Sequence, residues 1–144
     1  MNKFRFFILA AWLFAPLSAL HAAEVVNLRC EYLKDPLGID VAKPRLSWVI
    51  EDRGRRSEVR GLKQTAYQVL VASSPELLGK DTGDLWDSGK VVTDQSIHVE
   101  YAGKPLESRM SCHWKVRVWD RAGKVSAWSA PARFVTGKMK PEDW

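Results

Sequence analysis

Five acidic residues could in principle be assembled into a general acid–base pair: Asp84, Asp87, Asp94, Glu100 and Asp120. An inverting hydrolysis needs two carboxylates facing one another across a substrate, roughly 6.5–9.5 Å apart. Each of these acids falls in a turn or on the expected outer face of a strand. Asp87 and Asp120 sit where a carboxylate ordinarily accepts backbone hydrogen bonds and organises the turn. The sequence therefore assigns no catalytic residue. His98 and His113 are isolated, and Cys30 and Cys112 lack the spacing of a metal-ligand pair, so no metal site is expected. Ser73, Ser74 and the histidines fit no nucleophile pattern. Phosphate-cradling glycine loops are absent as well, and no cofactor is expected.

Any chemistry would have to be carried by a small exported domain. Met1 to Arg5 carries Lys3 and Arg5, Phe6 to Leu17 is almost wholly apolar, and Ser18, Ala19, Ala22 and Ala23 follow. This reads as a cleavable secretory signal over residues 1–23, cut after Ala22 or Ala23. A membrane span needs about 20 apolar residues, and Pro16 and His21 interrupt this stretch, so no membrane attachment is expected after cleavage. Arg29 before Cys30 argues against a lipid anchor. The expected location is the periplasm or the medium. Some 120 residues remain, about the size of one ordinary domain. The full chain has 22 basic and 17 acidic side chains; without Lys3 and Arg5 the balance is 20 against 17, too even to imply a nucleic-acid partner. Arg53, Arg55, Arg56 and Arg60 cluster, but Glu51, Asp52 and Glu58 are interleaved, as in a solvated loop. Export permits a disulfide. Cys30 and Cys112 can be read as that bond or as two small buried hydrophobes, and nothing in their spacing decides.

Apolar residues alternate with a period of two through the mature chain, and no window carries a long helical stripe, so the elements are half-buried strands. They are expected at Val25 to Tyr32, Arg45 to Ile50, Thr65 to Ser73, Leu85 to Ser88 with Lys90 to Thr93 across Gly89, and around Ile97, Val99 and Tyr101. Ser74 and Pro75 suit a helix cap and first helical position, but the stretch is too short to count as an element. In "SCHWKVRVWDRAGKVSAWSAPARF" Trp114, Val116 and Val118 point one way and His113, Lys115, Arg117 and Trp119 the other. "DRAG" makes a turn, and Val125 to Val135 is the expected partner strand. The reading is an all-β, immunoglobulin-like or fibronectin type III sandwich of about seven strands over residues 24–137. Residues 138–144 would begin a linker. Its interior would hold Trp48, Tyr67, Trp114, Val116 and Val118.

"YQVLVAS", "WKVRVWDRAG" and "SAWS" resemble a fibronectin type III domain, with Trp114 standing where that family usually has Tyr. An indole offers only an N–H donor, so the usual tyrosine-corner hydrogen bond is not expected. More narrowly, "LRCEYLKDPLGID", "KPRLSW", "QTAYQVLVASSPELL", "GDLWDSGKV", "DQS", "WKVRVWD" and "KPEDW" occur in the order found at the N-terminus of bacterial α-L-rhamnosidases of glycoside hydrolase family 78. The resemblance covers nearly all of the mature chain. It implies a fibronectin-type sandwich that precedes a jelly-roll domain and an (α/α)6 catalytic barrel, whose carboxylates are the family's general acid and base. No part of that barrel is recognised here, so the chain is expected to be inactive alone, as a fragment, a truncated product or a detached scaffold. Its expected partners are neighbouring domains of a larger rhamnosidase, with rhamnosylated glycans as a further possibility.

The tryptophans pose a narrower choice between binding and packing. Trp119 could stack on a sugar ring from the outer face, and Trp86 could offer a loop-borne sugar contact, which would make the chain a carbohydrate-binding module. A protein-interaction module is the third class. Against the stacking role, Arg117 placed between Trp119 and Trp128 would form an internal stack, and the adjacent strands of the expected hairpin favour that arrangement.

Overall fold

A computed structural model describes residues 23–51 and 63–144. Residues 1–22 of the expected leader and the arginines Arg53, Arg55, Arg56 and Arg60 lie outside the described residues. Among the described residues eight strands form: β1 (Glu24–Cys30), β2 (Leu37–Ile39), β3 (Arg45–Glu51), β4 (Ala66–Ala72), β5 (Trp86–Asp87), β6 (Val99–Glu100), β7 (Ser111–Trp119) and β8 (Ala132–Thr136). They divide into a three-stranded sheet, β1-β3-β6, and a five-stranded sheet, β2-β8-β7-β4-β5. All pairs are antiparallel except β2 with β8. The architecture is the expected all-β sandwich.

The interior lies between the sheets. Leu46 and Trp48 of β3, Tyr67, Val69 and Val71 of β4, and Trp114, Val116 and Val118 of β7 are all buried, because residues two apart share one face of a strand. Trp48 meets Tyr67 edge-on, ring centroids 5.2 Å apart. In β1 strict alternation fails. The pairing with β3 shifts between Val26 and Arg29, where Asn27 takes a left-handed φ of 52°. The extra residue of this bulge lets Val25, Leu28 and Cys30 all turn inward.

Several expected elements differ from those found. The first strand stops at Cys30, not Tyr32. Glu31 and Tyr32 both have positive φ, and Cys30 and Leu33 exchange two 2.9 Å backbone hydrogen bonds, so the chain reverses in a two-residue turn. Leu85 to Thr93 shrinks to β5 and an isolated bridge from Val91 to Tyr67. Ile97 is exposed and lies outside β6. The segment from Ser74, set aside as too short, is the helix α1 (Pro75–Gly79), capped by the Ser74 hydroxyl accepting from Leu77 N–H. Its Leu78 seals Leu70 and Ala72 on the outer face of β4, and that strand is consequently buried on both faces.

The partner strand expected over Val125 to Val135 is regular only from Ala132 to Thr136, where β8 pairs with Ser111 to Trp114. Upstream, two serines replace the ladder. Ser126 N–H donates to Val118 O at 2.8 Å while its hydroxyl accepts from Val118 N–H at 3.1 Å. Ser129 does the same with Val116, at 2.8 and 3.0 Å. Side-chain hydroxyls that bind backbone groups compete with a regular ladder, and Pro131 has no N–H to give.

Candidate functional site

The outer face of the five-stranded sheet carries a group of aromatic and charged side chains. Alternation along β7 turns His113, Lys115, Arg117 and Trp119 away from the interior, and the two serines lay Trp128 across them. The result is a ladder of cations and indoles. Lys90 Nζ lies 5.0 Å from the Trp119 ring centroid, and the Arg117 guanidinium carbon lies 5.4 Å from Trp119 and 4.4 Å from Trp128. Lys115 Nζ follows at 4.9 Å from Trp128 and pairs with Asp81 just beyond α1. Arg117 Nε also donates to Gln68 Oε1 at 2.9 Å. Each cation–π contact contributes about 0.5–1 kcal/mol where exposed. The Trp119 ring thus meets two cations of its own chain.

Where α1 rises beside this ladder, a cavity of about 400 Å³ opens, lined among others by Asp35, Leu78, His113, Lys115, Trp128 and Arg133. Asp35 arrives from the loop before β2, held by its Oδ1 accepting from Arg133 N–H at 2.9 Å. Burial, then the neighbouring Arg133 charge, pushes the His113 pKa below its ordinary value. Asp35, Leu78 and Arg133 are the site residues that sequence reasoning missed. Asp35 and Arg133 are 98 positions apart, and no local pattern joins them. Ser74-Pro75 was the available clue to α1 and hence to Leu78.

Three of the five sequence-derived acids are occupied elsewhere. Asp84 accepts from the Ser73 N–H at 2.9 Å and its hydroxyl at 2.6 Å. Asp87 accepts from Gln68 and Gly89, each at 2.9 Å, and Asp120 accepts from the N–H groups of Ala122 and Lys124, both at 2.9 Å. Asp94 and Glu100 are exposed. None of the five lines the cavity. Among the described residues no group of three His, Cys, Asp or Glu could hold a metal. His98 binds Tyr32 at the tip of the turn after β1. Trp86 is not loop-borne: it lies on β5, half-buried against the core with its ring 5.5 Å from that of Tyr101.

Cys30 and Cys112 are free thiols, both buried. Burial is the main cause that lifts each pKa to about 12, so neither is a nucleophile near neutral pH. Trp114 leaves its Nε1 without a hydrogen-bond partner among the described residues.

A family model described as the Rha78A-like, N-terminal immunoglobulin domain matches residues 25–140. An α-L-rhamnosidase from Streptomyces avermitilis is 47% identical over 125 residues, which are 87% of this chain and 12% of that protein. The crystal structure of the Streptomyces avermitilis α-L-rhamnosidase complexed with L-rhamnose superposes with a TM-score of 0.76 at 48% identity, over 85% of this chain and 11% of that one. The α-L-rhamnosidase structure from Dictyoglumus thermophilum gives 0.77 at 39% identity, over 84% and 13%. The chain thus spans only a small part of the relatives it matches. With a two-sheet sandwich, register and burial all accounted for by the matched residues, the chain belongs to the Rha78A-like N-terminal immunoglobulin domain family.

Proposed function

We propose that the chain is the non-catalytic N-terminal scaffold domain of an exported α-L-rhamnosidase, an enzyme hydrolysing terminal α-L-rhamnose from glycosides. One observation carries this reading. Nearly the whole sandwich matches 11–13% of rhamnosidase chains, while Asp84, Asp87 and Asp120 are engaged within the chain and none of the five candidate acids lines the cavity. The domain's work is then mechanical: it covers surface on neighbouring domains and holds their orientation. Exposed Tyr32, Leu33, Leu37 and Val41 lie within ten residues of one another, an apolar run suited to such a contact. Export rests on the charged and apolar pattern of residues 1–23.

The test is a graft. In the Streptomyces avermitilis enzyme, the matched segment is deleted or replaced by residues 24–140 of this chain. Deletion is expected to lower thermal stability and yield of active enzyme, and the graft to restore both. A deletion that leaves stability and activity untouched overturns the scaffold reading. Turnover of an aryl rhamnoside by this chain alone, abolished by changing one of its acids, overturns the non-catalytic one. N-terminal sequencing of exported protein is expected to find a start at Ala23 or Glu24.

A further inference from the structure

We propose that the cavity between α1, β7 and Trp128 is a subsite for a single 6-deoxyhexose unit, an α-L-rhamnosyl residue. The choice of sugar rests on the rhamnosidase reading above; the cavity and its chemistry do not. Its volume, about 400 Å³, lies within the range of about 300–1,000 Å³ that small-ligand sites occupy. Its walls are preformed. Leu78 is anchored under a capped helix and packs on Leu70 and Ala72, and the Trp128 indole is held by Arg117 and Lys115.

The polar groups are of three kinds and have hydrogen-bonding capacity to spare. Asp35 uses Oδ1 on the Arg133 N–H, while no described residue engages its second oxygen. Neither the His113 ring nor the Arg133 guanidinium hydrogen-bonds another described side chain. A carboxylate only accepts, a guanidinium only donates, and a neutral imidazole does both. His113 is biased to the neutral form by burial and by Arg133. The charges also compensate: Lys115 is paired with Asp81, and the remaining charged lining residues, Asp35 and Arg133, are one of each sign. A bare anion therefore finds no excess of positive charge, whereas adjacent hydroxyls of a neutral sugar find both donors and acceptors. Pro75, Pro131 and the half-buried Trp128 supply an apolar surface for the C–H face and the methyl group that distinguishes a 6-deoxyhexose.

The full chain, isotopically labelled, is titrated with L-rhamnose, L-mannose and D-glucuronate and followed by two-dimensional NMR. L-mannose differs from L-rhamnose only by a hydroxyl at C6, which would be desolvated against the apolar wall. Saturable shifts centred on His113, Arg133 and the Trp128 indole are expected with L-rhamnose, with Kd on the order of 1 mM. Affinity should fall about tenfold in His113→Ala and in Arg133→Ala, both still giving folded spectra, and L-mannose should bind more weakly. No saturation by about 100 mM, shifts centred elsewhere, equal binding of L-mannose, or tighter binding of D-glucuronate overturns the subsite. Such a failure leaves the scaffold reading standing, since that reading is decided by the deletion and graft.

Discussion

Trp48 and Trp114 are both sealed in the interior, at 2% and 0% exposure, yet their indole N–H groups have opposite fates. Trp48 donates to Gln64 Oε1 at 2.9 Å, and Gln64 is itself tied to Thr93 O and Gln95 O at 3.1 and 2.7 Å. Trp114 donates to nothing among the described residues. Leaving a buried partner unsatisfied costs about 1–3 kcal/mol, so Trp48→Phe should destabilise by about that much more than Trp114→Phe, the loss of volume being the same. Urea midpoints of the two variants decide; a costlier Trp114→Phe would mean that its N–H has a partner. Thiol chemistry gives a second residue-scale expectation. Cys30 and Cys112, sealed and with pKa values pushed up to about 12, should react with a thiol reagent at pH 8 only after denaturation. Fast labelling of the folded chain, or no labelling in denaturant without reductant, would contradict free buried thiols.

At the scale of elements, β7 was readable because its inward apolar residues alternate without a break from Cys112 to Val118. Its partner was not, because "SAWSA" looks like strand by composition while its serines act as backbone surrogates. The bulge at Asn27 does mark the sequence, because the inward residues Val25, Leu28 and Cys30 are spaced three and then two, but reading the stretch as one unbroken strand passed over that slip in register. Ser129→Ala should therefore leave Val116 N–H buried and unpaired and cost about 1–3 kcal/mol, far more than an ordinary surface serine. It should also loosen Trp128, seen as faster amide exchange across residues 125–131. A neutral Ser129→Ala with unchanged exchange would show that the hydroxyl is dispensable. The two faces of β7 can be compared directly. Trp114→Ala opens a core cavity and should cost about 3–5 kcal/mol, as should Trp48→Ala. Trp119→Ala removes an outer stack with Lys90 and Arg117 and should cost less. The reverse order would require the strand to be redrawn with its faces exchanged.

Over the whole molecule, the sandwich was legible because two-residue alternation needs only local sequence. The cavity was not, because Asp35 and Arg133 meet only through the parallel pairing of β2 with β8. The same burial that makes the sandwich sets its response to pH. The Arg45 hydrogen bonds hold the Glu31 pKa below its ordinary value. For Asp84, burial pushes upward but the Ser73 bonds outweigh it. The unfolded chain therefore binds protons at these carboxylates more readily than the folded one. Their contribution is present above the ordinary carboxylate pKa of about 4 and is lost as pH falls through the lower folded values. His113, also depressed, acts in the same direction between neutral and mildly acidic pH. The alkaline side is opposite in sign. Cys30 and Cys112 rise from 9.0, and Tyr101 from 10.0, to about 12, burial being the first cause in each. The folded chain therefore keeps protons that the unfolded chain releases. That contribution is complete below about pH 8.5, the unfolded thiol value, and is lost as pH rises toward 12. Stability is expected to be flat between roughly pH 7 and 8.5 and to fall on both sides. Replacing both cysteines by alanine should lower the plateau, since buried atoms are removed, while making the alkaline fall shallower because the two thiols are gone and the raised phenols of Tyr67 and Tyr101 are left. Urea midpoints from pH 4 to pH 11 on the two proteins measure both effects. A parent curve flat to pH 11, or an alkaline fall equally steep without the cysteines, would mean that the thiols are not the groups released when the sheets part.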